Sequence, residues 1–279
     1  MGGELPATTR MGEVHLTVAD LARSLDWYRD AIGLQVHGED ADGVRLGTGG
    51  DDLLVLRERP GARPADGYAG LFHFALLVPE RTDLAAWLVH AARDRVPLTG
   101  LSDHWVSEAI YLRDPDHHGV EIYADRPRSF WEGRVDEGMT TEPLDTNALI
   151  GSLDHEPETF EGLPTGTSMG HVHLRVSAVP ATVDFYRDGV GLDLMGMFGP
   201  QAAFLSAGGY HHHVGANTWE SGGADPAPEG TARLEQMTIL VPDEASLDGV
   251  EERVGGDRDR GGLALRDPAG NPILVRAAA

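Results

Sequence analysis

Residues Met11–Val18 have the sequence MGEVHLTV, and residues Met169–Val176 repeat this stretch as MGHVHLRV. A short segment with helical periodicity follows each stretch and ends in WYRDAIGL at Trp27–Leu34 and in FYRDGVGL at Phe185–Leu192. Self-similarity of this kind is the signature of a duplicated structural unit. The alternating apolar residues of both octapeptides predict strands, so each unit begins with a strand and continues into a helix.

A second type of repeat follows each of the first. LFHFALLV at Leu71–Val78 and LEQMTILV at Leu234–Val241 both run into a proline and a predicted helix, and both units close on an LRDP turn and a further strand. The chain therefore divides into four modules, each a strand, a helix and two or three strands. The predicted modules cover residues 11–58, 70–125, 168–219 and 233–276.

By their order in the chain, the modules group into an N-terminal two-module domain over 11–125 and a C-terminal two-module domain over 168–276. The segment 126–167 between them is rich in Glu, Asp, Thr, Pro and Gly. Such a composition is typical of a connection rather than of a packed element. We therefore expect a linker that acts as a long crossover.

The composition excludes several classes of function. Among 279 residues, 22 basic and 45 acidic side chains give a formal net charge of −23, which argues against a nucleic-acid backbone or an anionic membrane surface as partner. No apolar run approaches the ~20 residues that span a bilayer. The absence of cysteine excludes disulfides, thiolate metal sites and cysteine nucleophiles, and it favours a cytoplasmic protein.

Three longer stretches carry a resemblance to a known family. They are DHWVSEAIYLRDP at Asp103–Pro115, GVEIYADRPR at Gly119–Arg128 and GGYHHHVG at Gly208–Gly215. With the four modules, they resemble the short two-domain catechol 2,3-dioxygenases of the vicinal oxygen chelate superfamily, which also contains glyoxalase I and the bleomycin-resistance proteins. The resemblance implies an α+β fold in which four βαβββ modules form two curved mixed-sheet domains, with one divalent metal on a concave face.

The resemblance also implies that the metal ligands lie at the start of the first strand and in the last strand of a module. Module two carries His73 and Glu121 at these places, and module three carries His171. The residues at the equivalent places of modules one and four are Glu13, Gln236 and Leu274. We therefore expect His73, Glu121 and His171 to form a metal site built from modules 70–125 and 168–219.

Other interpretations of these residues remain open. A site of His15, His73 and Glu121 would pair modules one and two in chain order. A single histidine on a strand is more often a half-buried structural residue than a ligand. Glu121 lies between Val120 and Ile122, so strand alternation would also let its side chain face solvent.

The resemblance assigns acid–base chemistry to a second group. Tyr111 precedes Glu121 by ten positions, and His104 precedes Tyr111 by seven, which is similar to the family's active-site tyrosine and histidine. His213 is followed at the third position by alanine, as the family's catalytic histidine is, so we expect His213 in the site and His212 on the opposite face of the strand. A surface tract is the alternative for the three histidines. The expected pocket residues are His173, His211 and Trp105.

Two histidines and one carboxylate leave three positions open on Fe(II), so that a catecholate and dioxygen can bind together. We therefore expect an Fe(II)-dependent extradiol dioxygenase that cleaves catechol or a substituted catechol to a 2-hydroxymuconic semialdehyde-type product. Its partners are a small aromatic diol and dioxygen. Mn(II) suits the same ligands, and no organic cofactor is expected. A homo-oligomer is compatible with this fold because exposed strand edges are often covered by a partner.

Two other functions are implied by the same resemblance. A glyoxalase-like isomerase or lyase that uses Ni or Zn usually needs a carboxylate from both modules of the site, whereas module three offers His171. A bleomycin-resistance-type binding protein tends to lose the ligands, whereas modules two and three retain them. The ligand set therefore favours the dioxygenase.

Overall fold

The computed structural model describes residues 5–155, 157–259 and 261–278. The described strands are β1 (Arg10–Val18), β2 (Gln35–Asp40), β3 (Gly43–Gly47), β4 (Asp52–Glu58), β5 (Arg63–Pro64), β6 (Gly70–Leu77), β7 (Leu98–Asp103), β8 (Ser107–Arg113), β9 (Gly119–Asp125), β10 (Glu142–Pro143), β11 (Ser168–Arg175), β12 (Asp193–Phe198), β13 (Ala202–Ser206), β14 (Val214–Asn217), β15 (Thr231–Ala232), β16 (Leu234–Val241), β17 (Asp257–Asp259), β18 (Gly262–Arg266) and β19 (Pro272–Ala277). The described helices are α1 (Leu21–Trp27), α2 (Arg81–Asp94), α3 (Arg128–Trp131), α4 (Val135–Gly138), α5 (Thr146–Ile150), α6 (Val179–Asp184) and α7 (Glu244–Val254), with π-helical turns at Tyr28–Ile32 and Phe185–Val190.

The described strands form two large mixed sheets and one small ribbon. One sheet has nine strands in the order β10-β7-β8-β9-β6-β11-β14-β13-β12, and the other has eight in the order β17-β18-β19-β16-β1-β4-β3-β2. The ribbon pairs β5 with β15. These curved mixed sheets with a few helices confirm the predicted α+β fold. None of the described helices is both long enough and apolar enough to cross a bilayer.

Each large sheet takes one module from each half of the chain. The second and third modules build the nine-stranded sheet, where β6 and β11 pair antiparallel at the centre, and the first and fourth modules build the eight-stranded sheet around β1 and β16. The ranges 11–125 and 168–276, grouped from the sequence as two domains, thus each contribute to both sheets. As a result, the two modules that carry His73, Glu121 and His171 lie side by side.

Helix α2 illustrates how local sequence sets the packing of the second module. It begins with a capping box between Glu80 and Asp83, which satisfies backbone groups at its first turn. Its apolar face buries Trp87 completely, and the indole N–H donates to the carbonyl oxygen of Ala31 at 3.2 Å. Truncating a buried tryptophan of this kind costs about 3–5 kcal/mol. The bond ties the second module to the first.

The crossover segment packs against the fold along its length. Trp131 and Leu149 are buried, and β10 pairs with β7 and forms the edge of the nine-stranded sheet. Further along, the N–H of Leu163 donates to the carbonyl oxygen of Gly33 at 3.1 Å. Gly33 has φ of 91°, and a Cβ there would lie 2.7 Å from the Cα of Gly162. The segment 126–167 is therefore a docked part of the structure as well as a connection.

Candidate functional site

The strand registers of the nine-stranded sheet bring three polar side chains together. β6 runs parallel to β9 with Ala75 opposite Glu121, and antiparallel to β11 with Ala75 opposite His171 and His73 opposite His173. Because side chains alternate between the two faces of a sheet, His73, Glu121 and His171 face the same side. A shift of one residue in either pairing would move a member to the other face.

Three donor atoms of these residues converge. Oε2 of Glu121 lies 3.0 Å from Nε2 of His73 and 3.1 Å from Nε2 of His171, and the two imidazole nitrogens are 3.3 Å apart. All three side chains are buried, and Glu121 is only 2% exposed, so the interpretation in which it faces solvent is wrong. Among the described residues, this is the one group of three or more His, Cys, Asp or Glu side chains whose donor atoms lie within 4.8 Å of one another.

The chemistry of the donor set fits a divalent metal. Burial raises the pKa of the Glu121 carboxyl, but the facing His171 and His73 imidazoles outweigh burial and hold this pKa well below its usual range. Burial lowers the pKa of His171 to about 4, which keeps its ring neutral near pH 7. Carboxylates and neutral imidazoles are the forms that coordinate metals. No described arginine contacts Glu121, so a bound cation would supply the charge that a buried carboxylate needs.

A cavity of about 340 Å³ adjoins the three donors, which form part of its wall. The polar wall continues through His104, Tyr111, His173 and His212. Aromatic side chains complete the lining at Phe72, Phe198, Phe204 and Trp219. The volume lies within the range of about 300–1,000 Å³ that is typical of small-molecule sites. It also exceeds the about 150 Å³ that holds a benzene ring, so the cavity has room for one aromatic ring with a substituent.

His104 and Tyr111 form a hydrogen-bonded pair inside this cavity. Nδ1 of His104 lies 2.8 Å from the carbonyl oxygen of Thr140, and Nε2 lies 2.7 Å from the hydroxyl of Tyr111. A carbonyl only accepts, so Nδ1 carries the proton and Nε2 accepts from the Tyr111 hydroxyl. Burial and the nearby Glu121 carboxylate raise the pKa of Tyr111 well above its usual value. The pair therefore holds a proton on the tyrosine.

Residues of the crossover complete the cavity, and the sequence had not pointed to them. Met139, Thr140 and Thr141 belong to its lining. The contact between Thr140 and His104 uses a backbone carbonyl, which every residue type has, so no side-chain pattern could identify it. Only the docking of the crossover on β7 makes this contact.

Trp105 occupies a different place from the one expected. It is absent from the lining of the cavity, and its left-handed backbone conformation, with φ of 67°, accompanies a ring that packs on the crossover. The ring centroid lies 5.1 Å from that of Phe130 and 5.2 Å from the guanidinium carbon of Arg134. A Cβ on Gly138 would overlap the ring. Trp105 therefore packs against the crossover next to His104 and does not line the pocket.

The three histidines of the GGYHHHVG stretch also differ from expectation. His212 lines the cavity, with its ring centroid 4.0 Å from that of His171, and burial lowers its pKa well below the usual value. His213 does not line the cavity. Its Nδ1 accepts the N–H of Ala207 at 3.2 Å and lies 2.9 Å from the hydroxyl of Ser206. The expectation that His213 faces the pocket and His212 faces away is thus reversed in the structure.

The local backbone gives the reason for this reversal. Gly208 and Gly209 both have left-handed backbone conformations, with φ of 62° and 66°, and β14 begins only at Val214. His211–His213 therefore lie in a loop, where the alternation of a strand does not apply. His211 is fully buried behind the wall and does not line the cavity, in contrast to His173, which does.

The alternative ligand His15 is not part of this site. It lies on β1 in the eight-stranded sheet and lines a separate cavity of about 520 Å³ together with Gln236 and Leu274. A triad of His15, His73 and Glu121 would require modules one and two to share a sheet, and they do not. That alternative is wrong.

Comparison with known sequences gives two findings. Residues 10–122 match the family model described as the Glyoxalase/Bleomycin resistance protein/Dioxygenase superfamily. A catechol-2,3-dioxygenase of Bacillus subtilis (strain 168) is 41% identical over 259 residues, which are 88% of this chain and 87% of that protein. The aligned region of this relative thus includes both modules that build the site.

Solved structures share the fold at low sequence identity. The chain superposes on a Bacillus subtilis (subsp. subtilis strain 168) protein with a provisional dioxygenase assignment at a TM-score of 0.66 and 15% identity, over 99% of this chain and 86% of that one. It superposes on glyoxalase I from Zea mays at a TM-score of 0.59 and 18% identity, over 96% of this chain and 92% of that one. At such identities the likeness concerns the fold alone.

Proposed function

Because the chain belongs to the glyoxalase/bleomycin resistance protein/dioxygenase superfamily, we propose that it is an Fe(II)-dependent extradiol dioxygenase that opens the ring of catechol or a substituted catechol. Both atoms of one dioxygen molecule enter the product, and the ring C–C bond next to the diol breaks. No further reductant is needed, since every atom of catechol and dioxygen is found in the 2-hydroxymuconic semialdehyde-type product. The converging His73, Glu121 and His171 donors are the observation that carries this proposal.

His73, Glu121 and His171 would hold the iron. Fe(II) held by two histidines and one carboxylate would offer open positions for the diol and dioxygen together and would carry electrons between them. Mn(II) suits the same three residues. Their burial at one wall of the cavity leaves the opposite side for an aromatic ring, because the remaining lining is largely aromatic.

His212 is the residue best placed to take a proton from the diol. Its ring borders both the cavity and His171, so a diol held next to the three donors lies within its reach. Proton removal by a positioned histidine contributes about 10²–10⁴-fold to a reaction rate. His212 thus takes the role that the sequence suggested for His213.

His104 and Tyr111 supply the second half of the proton chemistry. The Tyr111 hydroxyl oxygen lies 2.7 Å from Nε2 of His104 and donates to it, and the other ring nitrogen donates to the carbonyl oxygen of Thr140. Both side chains line the cavity together with Glu121, so the Tyr111 hydroxyl can give its proton to a bound substrate when it turns from His104 towards the cavity. The proton that His212 takes from the diol is balanced by the proton that Tyr111 gives to the opening ring, and exchange with solvent after product release restores both residues.

Glyoxalase-like isomerisation has weaker support from the geometry. Its reaction was expected to need a carboxylate from each of the two modules, and the donor group contains Glu121 as its single carboxylate. The likeness to glyoxalase I is one of fold at 18% identity, whereas the relative at 41% identity is named a catechol-2,3-dioxygenase. A binding protein without catalysis would have no need of the converging donors.

Activity on catechol under defined metal loading tests the proposal. Protein reconstituted with Fe(II) under anaerobic conditions is mixed with catechol and then with air-saturated buffer, while absorbance and oxygen uptake are recorded. We expect a yellow ring-opened product and one dioxygen consumed per catechol. Iron that binds tightly without product formation would contradict the proposal. In that case, turnover of a hemithioacetal by the Ni(II)- or Zn(II)-loaded protein would favour the glyoxalase alternative.

A further inference from the structure

A buried chain of hydrogen bonds leads from the cavity wall to the end of β9. Nδ1 of His212 lies 2.9 Å from Nδ1 of His211, and Nε2 of His211 lies 2.9 Å from Oδ1 of Asp125. His211 has no exposed surface, and the side chain of Asp125 is 23% exposed. Of the three residues joined by these hydrogen bonds, only His212 lines the cavity. The mechanism proposed above uses His212 but neither of the other two.

The proton positions on His211 and His212 follow from the carboxylate of Asp125 at the end of the hydrogen-bond chain. A carboxylate can only accept, so Nε2 of His211 carries a proton and donates it to Asp125. A neutral imidazole has one N–H, so Nδ1 of His211 accepts, and Nδ1 of His212 must donate to it. The remaining nitrogen, Nε2 of His212, is then left with a free lone pair.

Asp125 is itself held in place from a second side. The hydroxyl of Tyr210 donates to Oδ2 of Asp125 at 2.9 Å, and the hydroxyls of Tyr210 and Tyr123 are 2.7 Å apart. Asp125 ends the strand that carries Glu121, four positions further along. One rigid strand therefore places both the carboxylate of the donor group and the carboxylate that ends the hydrogen-bond chain.

We infer that Asp125 and His211 are positioning residues that fix the tautomer of His212, so that its Nε2 faces the cavity as a proton acceptor. The inference rests on the proposed function for the identity of the proton, which comes from a diol hydroxyl. The principle is the one by which a buried aspartate sets the tautomer of a catalytic histidine in serine proteases. Here a second imidazole lies between the aspartate and the histidine that meets the substrate.

Nuclear magnetic resonance of histidine nitrogens tests the tautomer without any turnover. The full-length protein, labelled with ¹⁵N in histidine and loaded with Zn(II) as a diamagnetic metal, gives separate signals for protonated and unprotonated ring nitrogens. The signals of His212 are identified by their loss in His212→Gln. We expect the Nδ1–H form of His212 in the unmodified protein. The Nε2–H form there would overturn the inference.

Substitution of Asp125 tests the same point through kinetics. In Asp125→Asn we expect the Tyr210 hydroxyl to donate to the amide oxygen, so that the amide N–H donates to Nε2 of His211. Each proton in the hydrogen-bond chain would then move to the opposite ring nitrogen. We expect kcat for catechol to fall about 100-fold with KM within about twofold, and the Nε2–H form of His212 to appear. Asp125→Glu retains an acceptor and should restore most of kcat. The control Asp136→Asn changes an exposed carboxylate of α4 and should have no effect.

The outcomes separate this inference from the proposed function. Wild-type kcat in Asp125→Asn, or a change in KM alone, would overturn the positioning role. An unmodified protein that cleaves no catechol would contradict the proposed function, while the tautomer of His212 would still be decided by the nitrogen signals.

Discussion

The Nε2 atoms of His73 and His171 lie 3.3 Å apart although 98 residues separate the two histidines in the chain. This proximity depends on the antiparallel pairing of β6 with β11, the strands that begin the second and third modules. The parallel neighbour β9 then adds Glu121 on the same face. The candidate site is thus a property of how the modules pair, and its predictions concern both the metal and the cavity around it.

The first prediction concerns metal binding by Glu121. In Glu121→Gln an amide replaces the carboxylate, so the donor group loses its negative charge. Changing a residue that only supports a metal ligand lowers metal affinity about 10- to 100-fold. Because Glu121 is itself a proposed ligand, we expect a larger loss of Fe(II) affinity. Iron content after gel filtration and circular dichroism measure binding and fold. The control Glu13→Gln changes a half-buried carboxylate that pairs with Arg276 in the other sheet and should retain iron. Full iron occupancy in Glu121→Gln would contradict the assignment.

The second prediction concerns the His104–Tyr111 pair. Tyr111→Phe removes the hydroxyl that donates to His104, and with it the proton that the pair holds. We expect kcat for catechol to fall about 100-fold with unchanged iron content, measured by oxygen uptake and metal analysis. The control Tyr68→Phe alters an exposed tyrosine that does not line the cavity. If both variants turn over at the wild-type rate, the pair has no role in proton delivery.

The third prediction concerns the aromatic lining near the cavity opening. Phe198 is 54% exposed although it lines the cavity, so an apolar substituent on the catechol would cover it. In Phe198→Ala we expect kcat/KM to fall about tenfold for a phenyl- or alkyl-substituted catechol and to stay unchanged for catechol itself. The neighbouring Met197 is 49% exposed but does not line the cavity, so Met197→Ala serves as the control. Equal losses for both substrates would show that Phe198 does not contact the substituent.

The fourth prediction concerns the dependence of stability on pH. The Arg126 guanidinium, 2.6 and 2.8 Å from the two Asp103 oxygens, lowers the pKa of that carboxyl. A lowered pKa in the folded state means that the stabilisation is present above the unfolded pKa of about 3.9 and is lost as pH falls through the folded pKa. We expect Asp103→Asn to reduce the free energy of unfolding by about 1 kcal/mol at pH 7 and to have no effect in strong acid.

Urea unfolding at the two pH values measures this difference. A matched control is Asp51→Asn, because the Asp51–Arg10 pair is far more exposed, with 74% and 52% of the side chains accessible. Exposed pairs contribute little to stability, so we expect a change below about 0.5 kcal/mol at either pH. A loss of stability in Asp103→Asn that is the same at both pH values would contradict the electrostatic explanation.

Much of the fold and of the donor group was predictable because the information is local and repeated. Strand alternation and duplicated octapeptides define the modules, and His73, Glu121 and His171 occupy matching places in two of them. The uneven distribution of these residues among the modules also pointed to a shared site of modules two and three. The nine-stranded sheet places those modules together.

The remaining features depend on backbone geometry that the residue pattern does not encode. The expectation for His213 assumed a strand, but the left-handed Gly208 and Gly209 delay the start of β14 and bring His212 to the cavity. Trp105 was expected near the substrate because it follows His104, yet its own left-handed conformation accompanies a ring that packs on the crossover. The carbonyl of Thr140 approaches His104 only because the crossover docks on β7.

The most direct test of the central claim follows the oxygen atoms. The Fe(II)-loaded protein is supplied with catechol and ¹⁸O₂ in ordinary water, and the product is reduced at once, to prevent exchange of the aldehyde oxygen, and analysed by mass spectrometry. Extradiol cleavage at the His73–Glu121–His171 site predicts a ring-opened product that contains both labelled atoms, and no such product in Glu121→Gln. An unlabelled product, or a doubly labelled one formed equally well by Glu121→Gln, would contradict the claim.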